Sequence, residues 1–375
     1  MRVAIVHEWL DTVAGSESVT AQLLHLFPNA RLFSIVDFVR PGERGFLQGR
    51  QPRTTFIQHL PFARRHFRSY LPLMPLAVEQ LDLSSYDLIL SSSHAFAKGV
   101  ITGPRQVHIC YCHTPIRYAW DLQETYLAGA GIRGVRSWFA RAVLHYIRLW
   151  DVRTAHGVDE FVANSHYVAR RIRKTYGREA VVIHPPVDTG FFYPPAEPRE
   201  DWYVTVSRMA PYKRTDLLVQ AFSRMPDRRL VVIGDGPQLE ACRRMAGPNI
   251  SFRGSVSREE MRDALQRARA FVFAAEEDFG IAPVEAQACG TPVVAFGAGG
   301  VLDSIVDGVT GVFFEKQEPE AIHEAVRRFE TMRFNEHLIR ANAERFSIER
   351  FRIQFMDLAK QSMAAFRATS VATTA

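Results

Sequence analysis

The chain has 375 residues, of which 47% are hydrophobic and 23% charged, and its formal net charge at pH 7 is +6. These proportions are ordinary for a globular protein, and the length predicts two domains. No apolar run approaches the roughly 18–20 residues that span a bilayer, the N-terminus does not look like a signal peptide, and no zinc-finger or RNA-binding signature indicates a nucleic-acid partner. We therefore expect a cytoplasmic protein whose positive charge suits an anionic ligand or an anionic membrane surface.

The first half of the chain alternates short apolar runs with helical segments. The runs predict strands at residues 1–6, 32–36, 55–58, 87–90, 107–111, 161–163 and 181–183, and a helix at 19–26. Continuous apolar strands between helices are typical of a parallel sheet covered on both faces. Cys110 and Cys112 lie in one run without the spacing of a zinc site, and we expect them to be reduced, buried thiols.

A proline-rich segment at residues 188–200 predicts an extended linker. Beyond it, strands are expected at 202–206, 230–233, 250–252, 271–274, 292–296 and 312–314, with helices at 216–222, 238–245, 258–267 and 320–328. The sequence thus predicts two doubly wound, Rossmann-like α/β domains at residues 1–187 and 201–346, then a helical segment and a frayed tail at 347–375. Ligands of such sheets bind beyond the carboxyl ends of the strands, so the expected site is the cleft between the domains.

Residues 276–290, EEDFGIAPVEAQACG, predict a loop that leads into a short helix. Pro283 suits the first helical position, and Gly290 suits the position just past the helix end. The loop therefore presents backbone N–H groups at a helix N-terminus, where an anion binds favourably. The loop residues that we expect to meet the ligand are Asp278, Phe279, Gly280 and Ile281.

Two carboxylates, Glu277 and Glu285, flank this loop. A loop that attracts anions between two carboxylates suits a ligand with both phosphate and hydroxyl groups. The alternative is that both are solvated carboxylates near a helix start.

Two cations follow the first strand of the second half, Arg208 and Lys213 in the run SRMAPYKRTDLL. If a phosphate-containing group departs from such a ligand, negative charge is left on the phosphates, which a metal or fixed cations must stabilise. No Asp-x-Asp pair of the kind that holds a metal on a diphosphate is present, so these two cations could take that role. Alternatively, they are solvated loop cations.

These motifs together resemble the retaining glycosyltransferases of the GT-B fold in glycosyltransferase family 4. The match rests on an E-x7-E pattern at Glu277 and Glu285, an R-x4-K pattern at Arg208 and Lys213, and the run HTPIRYAWD from His113. That run resembles a subset that builds O-antigens and exopolysaccharides, including mannosyltransferases.

The resemblance implies further site residues. His113 is expected to contact the donor sugar, with a structural histidine as the alternative. Gly15 and Ser16 match a Gly-Gly-Glu turn near the donor phosphates, although a serine replaces the second glycine. Gly234, in the turn GDGP, and Val256 match positions near the nucleotide and its base. Weaker acceptor-side candidates are Arg117, Tyr118, Trp120 and Asp121.

The resemblance also implies an activity and a C-terminal helix that crosses back to the first domain. We expect a metal-independent retaining hexosyltransferase without a cofactor, whose catalytic residues are His113, Arg208, Lys213 and Glu277. The expected donor is GDP-mannose and the acceptor a polyprenyl-diphosphate-linked saccharide. Alternatives are a UDP-sugar-dependent enzyme, a nucleotide-sugar epimerase or phosphorylase, and a non-catalytic nucleotide-sugar-binding protein.

Two regions combine basic and aromatic residues, at 62–70 and 135–153. In the second, Trp138, Ala142 and Tyr146 recur at helical spacing. An amphipathic helix of this kind can lie on anionic lipid at the inner face of a membrane, or its apolar face can pack into the core of the first domain.

Overall fold

The computed structural model describes residues 1–12, 15–129, 131 and 134–372. The chain divides into two compact units, one made of Met1–Pro185 and Phe351–Ala375 and the other of Pro186–Arg350. Residues 188–200, predicted as a linker, therefore belong to the second unit. Phe192 anchors this segment, since its side chain is buried in the core of that unit.

The first unit contains a seven-stranded, all-parallel sheet in the order β3-β2-β1-β4-β5-β6-β7. Its strands are β1 (Val3–His7), β2 (Arg31–Ser34), β3 (Arg53–Thr54), β4 (Leu88–Ser93), β5 (Val107–Cys112), β6 (Glu160–Ala163) and β7 (Val181–Val182). The strand order reverses between β1 and β4, and this reversal is where doubly wound sheets bind ligands.

The helices of the first unit are α1 (Gly15–Leu26), α2 (Ala63–His66), α3 (Met74–Glu79), α4 (Gln123–Gly129), α5 (Val135–Ala155) and α6 (His166–Tyr176). The strand predicted at residues 55–58 is wrong: Phe56–His59 is a 3₁₀ helix. The cause is local, because the Thr55 side chain accepts a hydrogen bond from the N–H of Ile57 and so caps a helical turn.

The second unit contains a six-stranded parallel sheet in the order β10-β9-β8-β11-β12-β13. The strands are β8 (Trp202–Val206), β9 (Arg229–Ile233), β10 (Ile250–Gly254), β11 (Ala270–Phe273), β12 (Val293–Phe296) and β13 (Gly311–Phe314). The helices are α7 (Thr215–Ser223), α8 (Leu239–Met245), α9 (Arg258–Arg267), α10 (Ile281–Ala288), α11 (Val301–Ser304), α12 (Pro319–Glu330) and α13 (Glu336–Glu344). Here the order reverses between β8 and β11.

The last helix, α14 (Ile348–Ala372), completes the core of the first unit. Phe351, Phe355 and Ala359 are buried in the same apolar cluster as Ile5 and Tyr111 of its sheet. The helix continues into the tail that was expected to fray from residue 368, and residues 373–375 of that tail lie outside the described residues.

The predicted fold class is confirmed, since both halves are doubly wound parallel sheets with helices. The thiol prediction is also confirmed: Cys110 and Cys112 are free and buried, and both lie in one apolar cluster.

Candidate active site

In the second unit, the predicted residues follow strands that are neighbours in the sheet. Arg208 and Lys213 come after β8, Glu277 comes after β11, and Gly234 comes directly after β9. Because β9, β8 and β11 are adjacent and parallel, their carboxyl ends lie at one edge of the sheet. The sequence motifs are therefore gathered at the point where the strand order reverses.

An ion pair joins Lys213 to Glu277 at this edge, with side chains 18% and 16% exposed. Lys213 lies in a short 3₁₀ turn, Pro211–Lys213, and its ammonium also lies 5.4 Å from the ring centre of Tyr212. Shielding from water strengthens such a pair relative to one on the open surface. The two residues, predicted to hold different parts of the ligand, are thus direct neighbours.

Arg208 differs from Lys213 in being exposed. Within the described part of the chain, its guanidinium has no hydrogen-bonding or ion-pairing partner. Its backbone is held in place, because the carbonyl of Arg208 accepts the N–H of Ala210 at 2.7 Å and the N–H of Met209 donates to Asp235 at 2.9 Å. A mobile guanidinium on a fixed backbone can reach an anionic ligand.

Helix α10 starts earlier than predicted. It begins at Ile281, so Pro283 occupies the third helical position and Ile281 and Ala282 form the first turn. The first four N–H groups of a helix have no intrahelical partner, so proline is tolerated throughout this turn and does not mark its first residue. Gly290 lies past the end with a φ of +72°, as predicted.

Gly280 precedes the helix with a left-handed φ of +87°. An added Cβ there would meet Val301 at 3.1 Å, so both the backbone and the packing favour glycine. The next-door Phe279 side chain is 3% exposed and packs on Phe346 at 5.5 Å between ring centres. Of Phe279, only the backbone can therefore meet a ligand, whereas Asp278 is half-buried.

Glu285 lies on α10, one turn beyond its start. Burial raises the pKa of Glu285 to about 7 from its ordinary value of 4.5; Arg258 opposes this shift and Asp188 adds to it. A carboxyl group with such a pKa is a hydrogen-bond acceptor when ionised and a donor when protonated.

Close backbone contacts hold the loop of Arg208. Gly234 has a φ of +127°, and a Cβ there would lie 1.9 Å from the carbonyl oxygen of Ser207. A Cβ on Gly236 would likewise lie 2.8 Å from the carbonyl oxygen of Met209. The GDGP turn therefore supports the cation loop.

Sequence reasoning missed a second pair of glycines, Gly299 and Gly300, after β12. A Cβ on Gly300 would lie 2.2 Å from the carbonyl oxygen of Asp278, and the N–H of Gly300 donates to the carbonyl of Glu277 at 2.7 Å. The absence of side chains at these two positions lets the backbone contact the Glu277 loop directly. The signal in the sequence was the run GAGG directly after a strand.

Val256 has a structural role that the sequence only partly indicated. It precedes Ser257, whose side chain caps α9 in a capping box with Glu260. Val256 and Met261 both pack against the core of the second unit, in the positions of a hydrophobic staple. This leaves the backbone of Val256 as its means of contact with a ligand.

In the first unit, His113 follows β5, and both its backbone and its ring make hydrogen bonds. Its N–H donates to the carbonyl of Ser93 at 2.8 Å, its carbonyl accepts from Asn164 at 3.0 Å, and Nε2 of its ring lies 2.8 Å from the Ser92 hydroxyl. Burial lowers the pKa of His113 to about 3, with further lowering by His94 and by His7. The imidazole is therefore neutral at pH 7.

Gly15 and Ser16 do not form the predicted turn, because they are the first two residues of α1. The Ser16 hydroxyl donates to the carboxylate of Glu17 at 3.0 Å, and Glu17 in turn lies 3.2 Å from Nε2 of His7. The hydroxyl of Ser16 thus has an intramolecular acceptor in Glu17. Sequence reasoning missed His7, which is fully buried at the end of β1.

The acceptor-side candidates have different surroundings. The indole of Trp120 donates to Asp151 at 2.8 Å, and Asp121 pairs with Arg171. Both line an open cavity of about 460 Å³, together with Ala119, Gln123, Arg148, Lys174 and Thr175. Tyr118 and Arg117 do not line this cavity; both are half-buried, and the hydroxyl of Tyr118 has no partner among the described residues.

Helix α5 packs one side into the core of the first unit, as one of the two interpretations of its amphipathic pattern expects. One side, with Leu144, Ile147 and Trp150, is buried in the core of the first unit. The opposite side exposes a stripe of apolar residues that includes Trp138 at 73% and Phe139 at 65% exposure. None of the helices in the described part of the chain has the length and hydrophobicity that crossing a bilayer requires.

Two family models match consecutive parts of the chain. Residues 13–191 match the model described as Glycosyltransferase Family 4, and residues 191–346 match Glycosyl transferases group 1. The chain belongs to the family 4, group 1 glycosyltransferases. Its two Rossmann-like units form the GT-B fold of that family.

Two curated members of the family illustrate the similarity. A GDP-mannose-dependent alpha-(1-6)-phosphatidylinositol monomannoside mannosyltransferase of Mycolicibacterium smegmatis is 32% identical over 206 residues, covering 46% of this chain and 53% of that protein. A D-inositol 3-phosphate glycosyltransferase of Geodermatophilus obscurus is 37% identical over 201 residues, covering 45% of each. The chain spans about half the length of the curated relatives it matches.

Among solved structures, Anabaena HepE in complex with UDP has a TM-score of 0.70 and 16% identity, over 96% of this chain and 100% of HepE. At this identity the likeness establishes the fold alone.

Proposed function

We propose that this chain is a retaining, metal-independent hexosyltransferase that transfers mannose from GDP-mannose to a polyprenyl-diphosphate-linked saccharide. The observation that carries the proposal is the ion pair of Lys213 and Glu277 at the strand reversal of the second sheet. An ammonium suits a diphosphate and a carboxylate suits a sugar hydroxyl, so a bound nucleotide sugar would replace one ion pair by two contacts.

The reaction breaks the bond between the anomeric carbon and the diphosphate oxygen, and the bonding electrons leave with the diphosphate. We assign the stabilisation of this charge to Arg208, Lys213 and the N–H groups of Gly280 and Ile281, without a metal. The acceptor hydroxyl then bonds to the same face of the anomeric carbon, and its proton passes to the departing phosphate oxygen. This course retains the configuration and needs no nucleophile from the protein.

The remaining roles concern orientation. We assign to Glu277 and His113 contacts with the transferred hexose, and to Glu285 the ribose hydroxyls. Trp120 and Asp121 line the open cavity of the first unit, which supports an acceptor-side role for both.

The choice of mannose rests on the HTPIRYAWD run and on the mannosyltransferase of M. smegmatis, whose name states GDP-mannose dependence. The UDP bound to HepE supports UDP-sugars as the competing donors.

A donor panel tests the proposal. Purified protein is incubated with GDP-mannose, UDP-glucose or UDP-galactose and a polyprenyl-diphosphate saccharide, with and without excess EDTA. We expect GDP release and a mannosylated product with the donor's anomeric configuration, unchanged by EDTA. Turnover with UDP-sugars alone would contradict GDP-mannose as the donor. Loss of activity in EDTA would contradict metal independence. Conversion of the sugar without an acceptor would indicate an epimerase.

We also propose that the exposed stripe of α5 contacts an anionic membrane surface at the inner face, where a lipid-linked acceptor would be found. Trp138, Phe139 and Leu149 are exposed on one side of the helix, and the flanking Arg136 and Arg141 are cations at the edge of that side. The sole acidic residue of this helix, Asp151, is buried, and the nearby carboxylate of Glu124 on α4 is neutralised by its ion pair with Arg141 at 2.7 Å.

Co-sedimentation with vesicles tests this contact. We expect binding to vesicles that contain phosphatidylglycerol, weaker binding to pure phosphatidylcholine, and loss of binding in a Trp138→Ser, Phe139→Ser double variant. Leu338→Ser, which removes an exposed apolar side chain from the second unit, is the control. Equal binding by the double variant and the wild type would contradict the proposal.

A further inference from the structure

A continuous chain of four polar side chains ends at His113. A carboxylate oxygen of Glu17, on α1, lies 3.2 Å from Nε2 of His7, whose Nδ1 lies 3.3 Å from the hydroxyl of Ser92. The same hydroxyl lies 2.8 Å from Nε2 of His113. His7, Ser92 and Glu17 are all buried, so the chain runs through the interior and not over the surface.

Thr20 completes the surroundings of His7, because its hydroxyl lies 2.9 Å from Nδ1. The carboxylate of Glu17 can only accept, so Nε2 of His7 carries a proton. If His7 is neutral, its Nδ1 has one lone pair. The hydroxyl of Thr20 fills it, because this hydroxyl lies closer to Nδ1, at 2.9 Å, than to its other acceptor, the carbonyl of Ser16 at 3.2 Å, and closer than the hydroxyl of Ser92. If His7 is protonated, Nδ1 is itself a donor. In both states, the hydroxyl proton of Ser92 is not needed by His7.

The hydroxyl of Ser92 therefore donates its proton to Nε2 of His113, which at 2.8 Å is closer than Nδ1 of His7 at 3.3 Å. A neutral imidazole has one donor nitrogen and one acceptor nitrogen. Since Nε2 of His113 is the acceptor, the proton lies on Nδ1. His113 is neutral at pH 7 because burial lowers its pKa to about 3, so the choice between the two tautomers applies under working conditions.

Ser92 is one of three consecutive buried serines in β4, each with a different partner. Ser91 lies 2.7 Å from Nε2 of His108, and Ser93 donates to Glu8 at 3.3 Å. Of the three hydroxyl groups, that of the middle serine is the one hydrogen-bonded to the ring of His113, whereas Ser93 meets His113 only through its backbone carbonyl. Ser91 thus provides a natural control, a buried serine paired with a buried histidine outside the candidate site.

We propose that Ser92, supported from behind by His7 and Glu17, is a positioning residue that fixes His113 in the Nδ1-protonated tautomer, so that this ring presents a hydrogen-bond donor to an oxygen of the transferred sugar. The hydrogen bond from His113 to the sugar rests on the proposed function, whereas the assignment of the tautomer does not. The ligand chemistry is a neutral hydroxyl or ring oxygen, since a neutral imidazole N–H gains little from an anion compared with Arg208 and Lys213.

The first test reads the tautomer directly. In protein labelled with ¹⁵N-histidine, two-bond ¹H–¹⁵N correlations distinguish a ring protonated at Nδ1 from one protonated at Nε2, and the signals of His113 are identified by their loss in His113→Gln. We expect the Nδ1–H pattern in the wild type and in Ser91→Ala. In Ser92→Ala we expect the Nε2–H pattern or a mixture. An Nε2–H pattern in the wild type would overturn the proposal whether or not any variant folds.

The second test separates positioning from folding. We expect Ser92→Ala to lower kcat about tenfold, the effect of one lost hydrogen bond, while KM for the donor changes less than twofold. Ser92→Thr, which keeps the hydroxyl, should restore most of kcat, and Ser91→Ala should retain wild-type kcat. Equal kcat in Ser92→Ala and the wild type would overturn the role. If the wild type transfers no sugar from any donor, the proposed function fails while the tautomer measurement still decides the positioning of His113.

Discussion

At the scale of single residues, the candidate site is built from pairs that satisfy one another. Lys213 and Glu277 form an ion pair, while Arg208 has no partner among the residues that the structure describes. The two cations therefore differ in what binding requires of them. In the proposed complex, Lys213 exchanges a carboxylate for a phosphate, whereas Arg208 gives up no partner among the described residues.

We predict that Arg208→Ala and Lys213→Ala each lower turnover at saturating donor by roughly a hundredfold or more, the scale of losing one group that stabilises developing charge. Lys213→Ala should also raise KM for the donor, because it leaves Glu277 as an unpaired carboxylate where the diphosphate is expected. Initial rates at several donor concentrations measure both effects. Arg224→Ala, which removes an exposed arginine that pairs with Glu320, is the control, and near-normal rates in both site variants would refute the assignment.

A second prediction concerns Glu285, whose pKa is raised to about 7 by burial. The folded chain holds this proton more tightly than the unfolded chain, so protonation stabilises the fold. The contribution is complete below about pH 4.5 and is lost as pH rises through about 7. Glu285→Gln, which imitates the protonated group, should therefore gain Tm relative to the wild type as pH rises from about 5 to about 8.

The measurement is the difference in Tm between variant and wild type at each pH, which cancels the titration of all other groups. The exposed Glu324→Gln serves as the control. A Tm difference that stays constant across this pH range would show that burial does not raise the pKa of Glu285.

The sequence indicated the residues at strand ends but not their partners. His113, Arg208 and Glu277 stand out because polar groups directly follow apolar runs. Ser92 could not be found in this way, because its partner His7 is 85 residues distant and the two meet only through the pairing of β1 with β4. Contacts of this kind depend on strand order, which no local pattern encodes.

At the scale of elements, the side chains at the start of each helix determine how well its bounds can be predicted. Helix α9 has its predicted bounds, and in the structure Ser257 and Glu260 form a capping box that fixes its start. Helix α10 was placed two residues late because Pro283 is tolerated anywhere in a first turn. The apolar residues of the run at 55–58 fit a strand or a helical turn equally well, and the capping hydrogen bond of Thr55 stabilises the helical turn.

The loops of the second unit depend on glycines that allow two backbones to touch. Gly300 is the clearest case, because its φ of −75° is ordinary and the constraint is purely steric. We predict that Gly300→Ala displaces the loop of Asp278 and Phe279, with a loss of about 1–3 kcal/mol in the free energy of unfolding, and weakens nucleotide binding. Urea denaturation and calorimetric titration with GDP measure the two effects.

Gly42→Ala is the matched control, since an added Cβ at that position has no atom within 4 Å. Unchanged nucleotide affinity in Gly300→Ala would mean that the Glu277 loop does not need this support. An equal loss of stability in both variants would show that the close contact at Gly300 is not the cause of the loss.

At the scale of the whole molecule, each unit has its own apolar core, but the first unit is incomplete without the end of the chain. Phe351 and Phe355 of α14 are 1% exposed within the cluster that holds Ile5 and Leu90. Phe351 also packs on Tyr111, with ring centres 5.8 Å apart. A segment more than 300 residues from β1 in sequence therefore fills the face of the sheet that carries His113 at its edge.

We predict that Phe355→Ala destabilises the first unit by about 3–5 kcal/mol, the usual cost of removing a buried phenylalanine side chain. Ile353→Ala, two residues away on the exposed side of α14, should change stability by less than about 1 kcal/mol. Because the cores are separate, the loss of stability should appear in the unfolding of the first unit, which the fluorescence of Trp120 and Trp150 monitors. The affinity of the second unit for GDP should not change. A uniform loss in both measurements would mean that the two units unfold as one, and that α14 stabilises the whole chain rather than the first unit.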